Sequence, residues 1–255
     1  MATVVLLGTL DTKGQEYDFL REQVRAAGCD VLLVDAGVVG PARVVPDVSA
    51  DEVARAVGED RAALAAAGDR GAAVAVMGRG AAVVLQRLHA AGRLHAVLGM
   101  GGSGGSSLFS RAVRDLPLGV PKLLVSTLAS GNTRAYVGTC DLTMMYPVAD
   151  IAGINVISER VLGNAAAAAA GMARHHAGFL PRSSGKPLLA ATMFGNTTPC
   201  VETARRWLEG RGYEVIVFHA TGSGGMAMEA LLEAGFITGV LDVTAAELAD
   251  DLAGG

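Results

Sequence analysis

Several things are scarce in this 255-residue chain, and each scarcity excludes a class of protein. Aromatic residues make up only 4% of it and cysteines number three. Cys29, Cys140 and Cys200 are far apart and odd in number, so they supply neither a disulfide framework nor a zinc knuckle, and the expected setting is a reducing cytoplasm. Cys29 is predicted to be buried at a strand start, with Cys140 and Cys200 in polar loops; Cys200 reads as a small loop-filling residue before a thiol nucleophile. The net charge is −4 with no basic run, which leaves no electrostatic footprint for nucleic acid. No stretch of 18 or more apolar residues runs without polar breaks, so no membrane span is expected. The opening Met1-Ala-Thr-Val-Val-Leu-Leu-Gly8 has no basic n-region, so no signal peptide is expected. His89, His95, His175 and His176 lack ligand spacing, which predicts no zinc site. No Gly-x-Ser-x-Gly elbow supports a serine hydrolase.

What is present is alanine, 34 glycines and a hydrophobic fraction of 51%, a composition for close helix-on-sheet packing. Strand-like runs at Thr3–Leu7, Val31–Asp35, Ala96–Gly99, Lys122–Ser126 and Asp141–Tyr146 alternate with helical ones at Gly14–Ala27, Ser49–Ala67, Ala72–Gly92, Ser106–Arg114 and Ser158–His176. Ser49 and Glu52 form a capping box. Pro181-Arg-Ser-Ser-Gly-Lys-Pro187 breaks the composition, and the pattern then restarts. Strands are predicted at Leu188–Met193, Tyr213–Phe218 and Gly239–Val243, and helices at Pro199–Arg211, Met226–Ala234 and Thr244–Leu252. The expectation is an α/β protein of two Rossmann-like parallel-sheet subdomains, residues 1–180 and 187–255. The second subdomain is short: its three strands leave sheet edges that need cover, either from another subunit or from further chain of a longer protein, in which case it is truncated.

The most telling stretch is Ala96-Val-Leu-Gly-Met-Gly-Gly-Ser-Gly-Gly-Ser-Ser-Leu108, which reads as strand, glycine turn and helix start. Glycine permits positive φ and close ligand approach, and a helix start offers unpaired amides to an anion. Gly99-x-Gly101-x-x-Gly104 fits the dinucleotide pattern, but the next strand ends in Ser126-Thr127 without the carboxylate that would hold a ribose. No Gly-Lys-Ser/Thr tripeptide supplies a Walker A loop. The turn therefore reads as an anion cradle of neither standard kind.

Ligands of open parallel sheets sit at the carboxyl ends of the strands. Those ends carry Gly8-Thr-Leu-Asp-Thr-Lys-Gly14, Asp35-Ala-Gly37, Ser126-Thr-Leu-Ala-Ser-Gly-Asn-Thr133, Met193-Phe-Gly-Asn-Thr-Thr-Pro199, His219-Ala-Thr-Gly-Ser-Gly-Gly225 and Asp242-Val-Thr244. Lys13 suits a phosphate or a solvated helix start. Asp11 suits a sugar hydroxyl, magnesium or a helix cap, and Asp35 a ribose or a turn. Gly222-Ser-Gly-Gly225 repeats Gly102-Ser-Gly-Gly105.

These motifs, with Met193-Phe-Gly-Asn-Thr-Thr-Pro-Cys-Val201 and Phe218-His-Ala-Thr-Gly-Ser-Gly-Gly-Met-Ala-Met-Glu229, resemble the ATP-binding family typified by the tomato mosaic virus resistance protein. The resemblance runs from Thr3 to the end and implies ATP with Mg²⁺ and a homodimer. Two departures stand out: family members run longer, and Ala245 and Ala246 stand where hydroxyl residues are usual. The binding residues it implies are Gly8, Thr9, Asp11, Thr12, Lys13 and Asp35 after the first two strands, then Gly101, Gly102, Ser103, Gly104, Gly105 and Ser106 in the turn, and Thr127, Ser130 and Gly131 beyond. Phosphates would rest on Gly101 to Ser106 with Lys13 and Thr12 opposite. The alternative is an enzyme acting on a small phosphorylated or carboxylate metabolite between the halves, with Asp11, Asp141, His219 and Asp242 as its acid–base groups. A pure interaction protein is the third possibility.

Overall fold

The structure is a computed structural model and describes residues 1–180, 184–245 and 253. The chain divides into two compact units, Met1–Phe179 and Leu180–Gly255.

The first unit runs β1 (Thr3–Gly8), α1 (Leu10–Ala26), β2 (Asp30–Asp35), α2 (Ala50–Arg55), α3 (Arg61–Ala67), α4 (Arg70–Ala90), β3 (Ala96–Gly101), α5 (Ser103–Val113), β4 (Lys122–Ser126), α6 (Arg134–Val137), β5 (Leu142–Met145) and α7 (Val156–Gly178). Its sheet is parallel throughout, in the order β2-β1-β3-β4-β5. Both faces are covered, as parallel sheets require. Alternate residues of β1 serve opposite faces: Val4 and Leu6 pack with α1 and α7, Val5 and Leu7 with α2, α4 and α5. The alanine run of α7 buries Ala165, Ala166, Ala169, Ala170 and Ala173, so small side chains let this helix lie close to the sheet. Cys29 is buried there, as expected.

The α/β architecture with parallel sheets is as expected; several boundaries move. The predicted helix 49–67 is two helices, because Gly58 turns with φ +77° and Asp60 caps a new start through Ala63 N at 2.8 Å. The Ser49–Glu52 capping box is present. α1 begins at Leu10, four residues before the predicted Gly14, with Lys13 off helical geometry (φ −121°, ψ 23°) at a kink. Gly78 and Gly80 sit inside α4 because neighbours need their space: a side-chain carbon at Gly80 would stand 2.1 Å from the Val53 carbonyl oxygen. By length and composition α4 could cross a membrane, yet its Met77, Ala81 and Leu85 are buried in the sheet-side core.

The second unit contains β6 (Leu188–Met193), a 3-10 turn (Gly195–Thr197), α8 (Thr198–Glu209), β7 (Glu214–His219), α9 (Ser223–Glu233) and β8 (Gly239–Leu241). Its sheet is parallel, in the order β7-β6-β8. Cys200 is in the first turn of α8 and exposed, not in a loop as expected. The predicted helix 244–252 falls largely outside the described residues, and Ala246 with it.

Candidate functional site at the divergence of two strands

In the first sheet the strand order reverses between β1 and β3, whose following helices leave on opposite faces. Such switch points open a crevice at the carboxyl ends of the strands. Pairing between β1 and β3 ends at Leu7 and Gly99, and the Tyr17 hydroxyl continues it, donating to the Leu7 carbonyl at 2.6 Å and accepting from Met100 N at 3.0 Å. Gly8 makes room for that hydroxyl, since a side-chain carbon there would stand 2.0 Å from it.

β3 runs on to Gly101, two residues past the expected end at Gly99. None of the five glycines from Gly99 to Gly105 has positive φ, which corrects the conformational reading of the motif. Space divides them into two sets. A side-chain carbon would meet Phe109 at 2.1 Å from Gly99, Gly105 Cα at 3.0 Å from Gly101, and the Met100 carbonyl oxygen at 3.1 Å from Gly105. These three glycines serve the protein's own packing. Gly102 and Gly104 are open: their nearest neighbours would be Thr127 Oγ1 at 3.6 Å and the flexible end of Arg70 at 3.4 Å.

α5 starts at Ser103, three residues before the predicted Ser106. Ser106 N donates to the Gly102 carbonyl at 2.9 Å, which leaves the amides of Ser103, Gly104 and Gly105 without an acceptor among the described residues. A cavity of about 460 Å³ adjoins Gly104 and Gly105. Thr9, Asp11 and Thr12 line one side, and Val38, Leu64, Ala73, Val74 and Leu108 supply apolar wall. Arg70 at the start of α4 lines it as well, and with Arg111 it makes no ion pair among the described residues. Sequence reasoning missed Arg70. The signal was the break at Gly68-Asp-Arg70, where Gly68 closes α3 in the left-handed region and Asp69 caps α4.

Other expected site residues have structural partners. Lys13 Nζ donates to the Ile151 carbonyl. Asp35 is buried, and its Oδ1 accepts from Leu10 N at 3.0 Å and Gly37 N at 2.9 Å, capping α1 from the neighbouring strand. Burial pushes its carboxyl up; the Asp11 charge adds to this, while the two amides and Arg61 pull it down. Ser106 is buried with its hydroxyl 2.7 Å from that of Ser126. Thr127 N donates to the Gly101 carbonyl at 3.3 Å and stays beside the turn. Ser130 and Gly131 are exposed on the following turn and line no part of the cavity.

Asp11 stands apart. It is 6% exposed, and its Oδ2 accepts from Val39 N at 2.9 Å and Gly40 N at 3.3 Å, holding the loop after β2. Its Oδ1 is buried with no partner among the described residues. The other acid–base candidates are not gathered with it in the first unit. Asp141 is at the amino end of the sheet, 2.6 Å from the buried Lys122 Nζ. In the second unit His219 stacks on Phe194 at 5.4 Å, and Asp242 accepts from Thr192 Oγ1 at 2.6 Å. The repeated Gly222-Ser-Gly-Gly225 turn is closed where its counterpart is open, since a side-chain carbon at Gly224 would stand 1.9 Å from the His219 carbonyl oxygen.

Residues 2–178 match the N-terminal domain, and residues 186–255 the C-terminal domain, of the uncharacterised protein family UPF0261. The chain belongs to that family. A UPF0261 protein of Clostridium tetani is 47% identical over 253 residues, covering 99% of this chain and 62% of that protein. The ToMV susceptible protein tm-1(GCR26) of Solanum lycopersicum is 49% identical over 178 residues, covering 67% of this chain and 23% of that protein. This chain therefore spans less than two thirds of these relatives' length. Among solved structures, a Streptomyces glycosyltransferase complexed with thymidine diphosphate aligns at 14% identity over 97% of this chain and 73% of that one, TM-score 0.30. A Methanocaldococcus jannaschii UDP-GlcNAc 2-epimerase aligns at 9% identity over 97% and 75%, TM-score 0.36. Likeness at this level has no bearing on what the UPF0261 chain binds.

Proposed function

We propose that the first unit binds a nucleotide, with its phosphates on the amides of Ser103, Gly104 and Gly105 and its remaining body in the adjoining cavity. The observation that carries this is the open pair Gly102 and Gly104, set at a helix start whose amides are unspent and beside the unpaired Arg70. Helix dipole, bare amides and a guanidinium favour the same charge. The apolar wall of Val38, Leu64, Ala73 and Leu108 suits an uncharged ring system. ATP with Mg²⁺ is the ligand we name. Mg²⁺ takes one or two carboxylates together with phosphate oxygens, and Asp11 and Thr12, which line the cavity, are the residues that would hold it. The cation at the turn is then Arg70 in place of Lys13. We also propose the homodimer as the working assembly, which sedimentation would check.

Calorimetric titration with ATP and Mg²⁺ tests the reading. Wild type binds saturably, and Gly102→Val, whose Cβ would meet nothing nearer than Thr127 Oγ1 at 3.6 Å, weakens binding by at least tenfold with an unchanged thermal midpoint. Absence of binding by wild type, or undiminished binding by Gly102→Val, contradicts it.

A further inference from the structure

Gly78 is a poor residue for the middle of a helix, costing about 1 kcal/mol against alanine. Its place in α4 has a reason. A side-chain carbon at Gly78 would stand 3.0 Å from Arg111 Cδ, 3.2 Å from its Cβ and 3.3 Å from its Cγ. The methylene stem of Arg111 therefore lies along α4, and its exposed guanidinium lines the groove beyond. Ser103, Ser107 and Arg111 follow at helical spacing on one face of α5. With Arg70 and Gly71 from the start of α4, they line an outer groove of about 490 Å³. The groove and the inner cavity share Arg70, Val74 and Gly104, so the two meet over the glycine turn.

The two lobes differ in chemistry. The outer one offers two guanidiniums and two hydroxyls, with no acidic side chain on its wall. The inner one is largely apolar, with Asp11 and Asp69 as the acidic residues on its wall. A ligand that spans both is long: an uncharged ring system in the inner lobe and an extended polyanion at the Arg111 end. One phosphate occupies one cradle, and the turn alone provides that. A second guanidinium beyond Gly104 suits a further phosphate.

Resting on the nucleotide reading, we propose that the outer groove is the subsite for the distal phosphates of a nucleoside di- or triphosphate. Arg111 is the residue that sets the preference for that class over nucleoside monophosphates. Arg70 stands between the lobes and contacts the phosphate nearest the turn.

The test is calorimetric titration of wild type and Arg111→Met with ATP and with AMP, both with Mg²⁺. Methionine keeps an unbranched stem over Gly78 and removes the guanidinium with its charge and donors, and an unchanged thermal midpoint verifies the fold. The expected result is a loss of roughly tenfold in ATP affinity with AMP affinity unmoved, so that the ATP-to-AMP ratio collapses. Ser107→Ala shifts the ratio in the same direction by less. Equal loss for both ligands, or no loss for either while wild type binds ATP, overturns the subsite and leaves the nucleotide reading intact. Wild type that binds neither ligand overturns both.

Discussion

The Tyr17 hydroxyl accepts from the amide of Met100 at 3.0 Å where β1 and β3 have stopped pairing. It donates at the same time to the Leu7 carbonyl at 2.6 Å. One phenol thus bridges two strands at the point where the crevice opens, and burial pushes its proton affinity up. Tyr17→Phe leaves buried backbone groups unpaired at both strands. We expect a loss of about 1–3 kcal/mol in urea unfolding. Stability equal to wild type would mean that the bridge contributes nothing.

The glycines of the turn are predicted to separate by role. Gly99→Ala drives a methyl into Phe109, 2.1 Å away, and is expected to cost about 1–3 kcal/mol or more through overpacking. Gly104→Ala meets only the flexible end of Arg70 at 3.4 Å, so it should leave stability equal or slightly raised while weakening nucleotide binding. Unfolding midpoints and calorimetry on the same two variants check the separation. The reverse pattern, with Gly104→Ala unfolding and Gly99→Ala binding normally, would contradict it.

Much of this was legible from residues, and the exceptions have physical causes. The alternation of apolar runs and amphipathic stretches pointed to the parallel α/β order because a buried strand and a sheet-covering helix differ in period. The glycine-rich turn after Leu98 pointed to the strand end where the crevice lies. What sequence could not divide was the set of glycines: Gly99 and Gly104 are alike until Phe109 is seen to occupy the space beside one and the side chain of Arg70 that beside the other. Arg70 was invisible for a similar reason. It comes from a helix join more than thirty residues before the turn, and only the folding of α4 against α5 brings it there. Asp35 and Lys13 misled because a carboxylate or an ammonium at a strand end serves the backbone as readily as it serves a ligand.

Asp35 sets a pH dependence. Its folded carboxyl is raised by burial first and by Asp11 second. A raised acid favours the folded state while it is protonated, and that contribution fades as pH rises through its folded value. Asp35→Asn keeps an oxygen for Leu10 N and Gly37 N without the charge. The variant is expected to equal or exceed wild type in thermal midpoint at neutral pH, with the difference shrinking as pH falls toward the ordinary carboxylate range. A variant deficit that is largest at neutral pH would contradict this.

Lys122 offers a control far from the site. Its buried Nζ donates to the Pro117 carbonyl at 3.0 Å, the Val120 carbonyl at 2.9 Å and Asp141 at 2.6 Å, at the amino end of the sheet. Lys122→Met strands these acceptors and should cost on the order of 3 kcal/mol, with Asp141 one-third exposed and able to recover some hydration. At a temperature where the variant is folded, nucleotide affinity should match wild type. A selective loss of affinity would place Lys122 in the site.

The central claim concerns three backbone amides, and nuclear magnetic resonance reads them individually. In ¹⁵N-labelled protein titrated with ATP and Mg²⁺, the account predicts saturable shifts of the Ser103, Gly104 and Gly105 amide signals, together with Arg70 Nε. Signals at those positions that stay fixed while ATP saturates the protein, or that never move at any ATP concentration, would contradict it.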